Sequence, residues 1–254
     1  MFDKQLEEQY NNLPKLSMPS CFTGITLLDY QVQGIKWLVK KEINASPAPF
    51  YKKVKENKQQ MYLCEITNSS QSHPPAPIRG SILCDEMGLG KSIQTIGLIL
   101  LAPPPGVEYK PSAFAVADNT LKVTDEKMSA KSNVPIPKVV VGPTKRCTLI
   151  VCPVSVLSNW TSQTEQYVLP GVLSMHLYHG ANRHDIIPSV KAGLVDVLLV
   201  SYHTLAADYG AAIGNEAGNN DSKPKAKKTK RESIFDVNFH RIVLDEAVRL
   251  LYLQ

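Results

Sequence analysis

Several features that would assign a chain of this size to a special class are missing. No apolar run approaches the roughly 20 residues needed to cross a bilayer, so no membrane partner is expected. The first residues, MFDKQLEEQYNNLPK, are acidic and polar, which argues against a signal peptide there. The five cysteines, Cys21, Cys64, Cys84, Cys147 and Cys152, form no CxxC pair and keep no regular spacing. Reduced thiols in an intracellular, soluble protein are the expectation, and a zinc centre is argued against. No internal repeat is visible. Neither sign of charge dominates. The formal net charge is +5, but residues 211–232 hold six basic and three acidic residues, and the remainder carries 22 basic against 20 acidic. A body so mildly basic is compatible with a nucleic-acid partner without demanding one. What is present is 43% apolar residues in a chain of 254, enough for the core of one large α/β domain or two small ones.

Along the chain, Leu28, Val32, Ile35 and Val39 in LLDYQVQGIKWLVKKE (27–42) fall at helical spacing, with Asp29 able to cap. Residues 44–80 mix prolines, a polar run and the strand-like MYLCEIT, and read as an insertion with a hairpin. SILCD (81–85) predicts a buried strand, interrupted by Gly88 and Gly90. KSIQTIGLILLA (91–102) predicts a largely buried helix, stopped by Pro103, Pro104 and Pro105. Residues 103–146 read as a long insertion. Beyond it, strands at TLIVCP (148–153), SMHLYHG (174–180), VDVLLVSY (195–202) and FHRIVLD (239–245) alternate with helical segments. One of these, 155–168, has a candidate capping serine; another, 183–193, has a proline defect. Such alternation predicts a parallel sheet covered by helices on both faces. The polar stretch 214–233 reads as a loop. Its KPKAKKTKR is either a nuclear localisation signal or a solvated basic linker.

DEMGLGKS (85–92) lies between the predicted strand and the predicted helix, where a phosphate loop has to be. Glycines let the backbone approach an anion closely, and helix N-terminal N–H groups face it. In that role Lys91 would reach the β- and γ-phosphates of a nucleotide and Ser92 would hold Mg²⁺. The pattern GxxxxGK[ST] is met except at its first position, which is Asp85. The bland alternative is a glycine turn ahead of a solvated helix start. RIVLDE (241–246) ends another strand in two carboxylates. Asp245 could order the Mg²⁺ water shell and Glu246 could orient the attacking water. Taken alone, the pair could equally cap a helix.

With LLDYQVQGIKWL ahead of the loop and TLIVCPVSVLSNW after it, the chain resembles the Swi/Snf-type ATPases of helicase superfamily two, which are DNA translocases. PFYKKV, MYLCEITNSS, VLLVSYHTLAADYG and FHRIVLDEA are most similar to the branch of the helicase-like transcription factor and the Rad-five and Rad-sixteen proteins. The resemblance implies a RecA-like phosphate-loop lobe over 25–247, with insertions near 44–80, 103–146 and 211–234. Residues 1–24 would be an extension and 248–254 a tail outside the family pattern. It implies ATP and Mg²⁺ as cofactors, double-stranded DNA or chromatin as partner, and the nucleus as location. Carried over by position, Tyr30 and Gln31 match the adenine-reading block, and Asp85, Glu86, Met87, Gly88, Leu89, Gly90, Lys91 and Ser92 match the phosphate loop. Lys91, Asp245 and Glu246 take the catalytic positions, and Ser92 and Asp245 those of the metal. Pro153, Ser158, Asn159 and Trp160 fall beside the DNA track, and Ser201, Tyr202 and Thr204 in the next DNA-facing block. For Trp160, core packing is the favoured alternative. His179, His184 and His203 are assigned no chemistry.

The family has histidine after Asp-Glu-Ala, and this chain has Val248. The match is therefore expected to stop at Ala247, leaving a sheet incomplete at its C-terminal end and a second lobe, with its arginine fingers, absent. The RING insertion that full members of the branch carry is not found in these residues either. On this reading the chain is an ATP-binding lobe that does not turn over alone. The alternatives are a non-catalytic truncated module that binds DNA or a partner, and a small phosphate-loop kinase or GTPase. The last leaves DYQVQGIKWL and CPVSVLSNW unexplained.

Overall fold

The computed structural model describes residues 17–43, 50–56, 59–76, 80–109, 147–217 and 232–247. Most of the expected insertion at 103–146, the basic run 223–231 and Val248 lie outside them. Two compact units form. The first contains Thr26–Ala102 and the residues up to Pro19; the second contains Ser20–Ile25 and Pro103 onwards.

In the first unit, helix α1 (Asp29–Ile43) buries Gln31, Ile35, Leu38 and Val39, a spacing that puts all four on one face. Ile35, Leu38 and Val39 cluster with Leu98 of helix α2 (Lys91–Leu101). Asp29 does not cap. It is the first helical residue, where its charge suits the positive end of the helix. Gln31 reaches back instead, its Oε1 accepting the N–H of Leu28 at 3.0 Å. The hairpin expected in 44–80 is present, as β1 (Tyr51–Glu56) and β2 (Gln59–Cys64), and a short β3 (Ser70–Gln71) extends it to an antiparallel meander. The strand expected at 81–85 does not form, and Ile82 is 83% exposed. An extended segment becomes a strand only where a neighbour satisfies its N–H and C=O groups, and among the described residues no ladder partner meets this one. Helix α2 ends as predicted, with the Ala102 N–H on the Leu98 carbonyl directly before the prolines.

The second unit holds a four-stranded parallel sheet in the order β5-β6-β4-β7, with β4 Thr148–Cys152, β5 Met175–Tyr178, β6 Val197–Ser201 and β7 Arg241–Leu244. Helices α3 (Leu157–Tyr167), α4 (Ile187–Lys191) and α5 (Tyr202–Ala217) flank it. Every residue of β4 and β6 is buried, so both faces of the central strands are covered, as continuous apolar runs in parallel sheets require. Leu149, Val151, Leu198 and Val200 share one core with Tyr178, Ile187, Val190 and Ile234. This is an α/β lobe of the expected class.

Three local expectations are corrected. Ser155 caps nothing: it lies inside a 3-10 turn, Val154–Val156, that runs into α3, and neither start has a side-chain cap. Pro188 is no defect, since it occupies the first turn of α4, where a missing N–H costs nothing. Helix α5 continues to Ala217, four residues into the segment read as loop from 214.

Candidate nucleotide-binding site

The phosphate loop belongs to the first unit. Gly88 and Gly90 have φ of 86° and 82°, left-handed values that other residues adopt only at a cost. Gly90 is the N-cap of α2 and supplies no side-chain bond to the first N–H groups of that helix. At Gly88 an added Cβ would meet nothing within 4 Å, so the loop is open there. The Lys91 ammonium is drawn back into the loop, donating to the carbonyls of Asp85 (2.7 Å) and Glu86 (2.8 Å). A preplaced cation, a helix start without a side-chain cap and the open backbone at Gly88 together suit a polyphosphate. Met87 and Leu89 lie exposed on the loop, at 86% and 38%. Ser92, half-buried, is the second residue of α2, directly after Lys91.

Two glutamines hold this loop, and the sequence pattern alone showed neither contact. Gln31 Nε2 donates to the Leu89 carbonyl at 3.3 Å, and Tyr30 Oη donates to the same oxygen at 3.2 Å. With Oε1 on the Leu28 N–H, both ends of the Gln31 amide are occupied inside the protein. Gln31, expected at the adenine-reading position, ties the start of α1 to the phosphate loop. Gln94, fully buried, donates from Nε2 to Asp85 Oδ2 at 3.0 Å. That bond gives the unusual aspartate at the first loop position a structural purpose. The sequence signal was available: an amide one turn into the helix, three residues after Lys91, amid Ile and Leu.

The acidic strand end belongs to the second unit. Cys152 pairs with Ser201 and Val151 with Leu244, so the strand ends carrying Pro153, Tyr202 and Asp245 lie at one edge of the sheet. Ligands of open parallel sheets bind at this carboxyl edge. The Asp245 N–H continues the ladder to the Val151 carbonyl at 2.8 Å. Its own carbonyl accepts the Tyr202 hydroxyl at 2.9 Å, and its Oδ2 accepts the Trp160 indole N–H at 2.9 Å. Glu246 has φ 53°, a left-handed conformation costing about 1–2 kcal/mol outside glycine, and so turns sharply off the strand. Burial, followed by the charge of Asp245, pushes the Tyr202 hydroxyl up to about 12 and the Cys152 thiol up to about 11. Both stay protonated beside the carboxylate at neutral pH.

The residues expected on the DNA side separate. Ser158 and Asn159 are exposed on the first turn of α3, while Trp160 beside them is buried, as core packing predicts. Ser201 is only 2% exposed, and its Oγ accepts the Thr204 N–H at 3.1 Å and bonds the Thr204 hydroxyl at 2.8 Å. It caps α5, with its hydroxyl turned to Thr204. Tyr202 and Thr204 are half-buried. Sequence reasoning also passed over a buried cluster further along. Tyr178 Oη donates to Asp208 Oδ2 (2.6 Å) and bonds His184 Nδ1 (2.9 Å), and Arg183 Nε donates to Asp208 Oδ1 (3.0 Å). Burial alone would raise the Asp208 carboxyl, but the bonds from Arg183 and Tyr178 outweigh it and hold it below its ordinary range. Among the described residues, no three His, Cys, Asp or Glu side chains converge as a metal cage. Magnesium does not need one, because it binds through one or two protein groups and the nucleotide's phosphates.

A family model described as the SNF2-related domain matches residues 30–251. The chain belongs to the SNF2-related family. That match runs four residues past Ala247, where the family pattern was expected to stop. Among curated SNF2 relatives, a putative SWI/SNF-related matrix-associated actin-dependent regulator of chromatin subfamily A member 3-like 1 of Arabidopsis thaliana is 30% identical over 72% of this chain and 21% of its own length. DNA repair protein RAD5B of the same plant is 28% identical over 93% of this chain and 18% of its own. DNA repair protein RAD5 of Yarrowia lipolytica is 28% identical over 88% and 19%. The expected branch is therefore the right one, and the chain spans about a fifth of the length of these relatives. Among solved structures, the Sulfolobus solfataricus SWI2/SNF2 ATPase core in complex with dsDNA is 18% identical over 76% of this chain and 24% of that one, at a TM-score of 0.36. It is the family match that carries the assignment.

Proposed function

We propose that this chain is the ATP-binding first lobe of a DNA-dependent ATPase and translocase of the chromatin-remodelling and DNA-repair type, acting in the nucleus on double-stranded DNA. The observation that carries the reading is the phosphate loop: left-handed Gly88 and Gly90, an uncapped helix start and the Lys91 ammonium waiting on the Asp85 and Glu86 carbonyls. An entering triphosphate exchanges those two carbonyls for phosphate oxygens. Lys91 then offsets β- and γ-phosphate charge, and the N–H groups at the head of α2 bind the anion.

By family pattern, Ser92 and Asp245 hold Mg²⁺, which when bound neutralises charge on the transferring phosphoryl group. Glu246 orients the attacking water. Ser158, Asn159, Tyr202 and Thr204 meet the DNA backbone; their exposed or half-buried hydroxyl and amide groups suit phosphate oxygens. Turnover calls for a second lobe whose arginine is worth about 10³–10⁵ in rate in related phosphoryl transfer, so hydrolysis by these 254 residues alone stays near background.

Fluorescent-ATP titration in Mg²⁺ tests the reading. Binding should saturate, and Lys91→Ala should weaken it about ten- to a hundredfold, the worth of one charge-assisted bond. Equal affinity in the two proteins would sink the proposal. Robust DNA-stimulated hydrolysis, abolished in Lys91→Ala, would sink only the dependence on a second lobe.

A further inference from the structure

Asp245 is held by side chains from two segments, Trp160 of α3 and Tyr202 of α5. Trp160 is 2% exposed and 85 positions away in sequence, yet its indole Nε1 lies 2.9 Å from Asp245 Oδ2. A buried indole N–H needs an acceptor and can only donate. Here that acceptor is one oxygen of the strand-end carboxylate. With Oδ2 engaged by the indole, Oδ1 has no hydrogen-bond partner among the described residues. The backbone of Asp245 is fixed independently, by the Tyr202 hydroxyl on its carbonyl and by the Val151 carbonyl on its N–H. Among the described residues the side chain therefore has one hydrogen bond that sets its rotation, and that bond comes from α3. Ser158 and Asn159, exposed in the same turn, immediately precede Trp160.

We propose that Trp160 is a positioning residue: its indole N–H sets the orientation of the Asp245 carboxylate, so that a duplex bound at the first turn of α3 alters the affinity for Mg²⁺. This rests on the functional reading above. Packing alone would need only an aromatic ring at 160. The proposal needs the N–H, and Trp160→Phe separates the two.

The experiment uses the full chain with methylanthraniloyl-ADP, titrated with MgCl₂, with and without a short DNA duplex. Groups that orient a metal ligand typically carry 10- to 100-fold in metal affinity. Trp160→Phe should therefore raise half-saturating Mg²⁺ about tenfold, leave nucleotide affinity in EDTA unchanged and abolish the effect of duplex on the Mg²⁺ requirement. An unchanged Mg²⁺ requirement and duplex response would overturn the proposal. The wild-type chain guards against a variant that fails to fold: its Trp160 indole N–H resonance should move when Mg²⁺, and then duplex, is added to the nucleotide-loaded protein. A resonance indifferent to both overturns the proposal as well. If wild type binds no nucleotide at all, the functional reading falls and this inference with it, an outcome distinct from a silent Trp160.

Discussion

The acidic turn and the phosphate loop are built by different means. Asp245 extends a ladder: its N–H follows β7 onto β4, and β4 and β6 are buried along their length. Residues 81–85 have no ladder, and the loop after them hangs on side chains, with Gln31 and Tyr30 on the Leu89 carbonyl, Gln94 on Asp85 and Lys91 on two carbonyls. Backbone ladders are cooperative and hard to remove singly. Side-chain ties break one at a time, each worth about 0.5–3 kcal/mol. The acidic turn should then fail only when its sheet fails, whereas the loop can be loosened in steps.

The largest effect expected from breaking this contrast is in the sheet. Ile150→Ala, at a fully buried position in β4, should cost about 2–5 kcal/mol in denaturant unfolding of the second unit. If hydrogen exchange at Asp245 rises without loss of the whole sheet, the turn is not ladder-held. A smaller effect of instructive sign belongs to Gly34. Replacing glycine by alanine inside a helix ordinarily gains about 1 kcal/mol. At Gly34 the new Cβ would lie 2.0 Å from Gln94 Oε1, an atom with no hydrogen-bond partner among the described residues. Gln94 is fully buried and has to swing off Asp85. Gly34→Ala should therefore destabilise the first unit by about 1–2 kcal/mol net and weaken nucleotide binding. A raised melting temperature would show that Gln94 does not hold the loop.

The smallest effect sharpens the comparison from the second unit's side. The bonds to Asp208 keep its folded pKa below the ordinary 3.8. Its contribution is thus complete above about pH 4 and fades as pH falls through the lower, folded value. Asp208→Asn should melt below wild type at pH 7, and the gap should narrow at pH 3. A gap that persists unchanged at pH 3 would mean the charge is irrelevant there.

Much of this was legible. Short apolar runs rich in β-branched residues, such as TLIVC and VLLVS, read as strands buried on both faces, and the glycines around Lys91 announced a turn into a helix. Missing was anything that depends on partners distant in sequence. SILCD has strand composition, but pairing is a property of neighbours, and the segment finds none among the described residues. The burial of Ser201 and its bonds to Thr204 could not be seen from its neighbours in sequence. Gln31 and Trp160 were recognised by position, yet their hydrogen bonds run to Leu89 and Asp245, 58 and 85 residues away.

The chain has two tryptophans, and they divide evenly: Trp37 lies in the first unit and Trp160 in the second. Each unit thus carries its own intrinsic fluorophore. Emission from a Trp37→Phe protein would report only on the sheet and its acidic turn, from an indole already bonded to a carboxylate. Emission from Trp160→Phe would report only on α1, the helix that steadies the phosphate loop. Unfolding of the two units can therefore be timed separately in one cuvette, without attaching a dye.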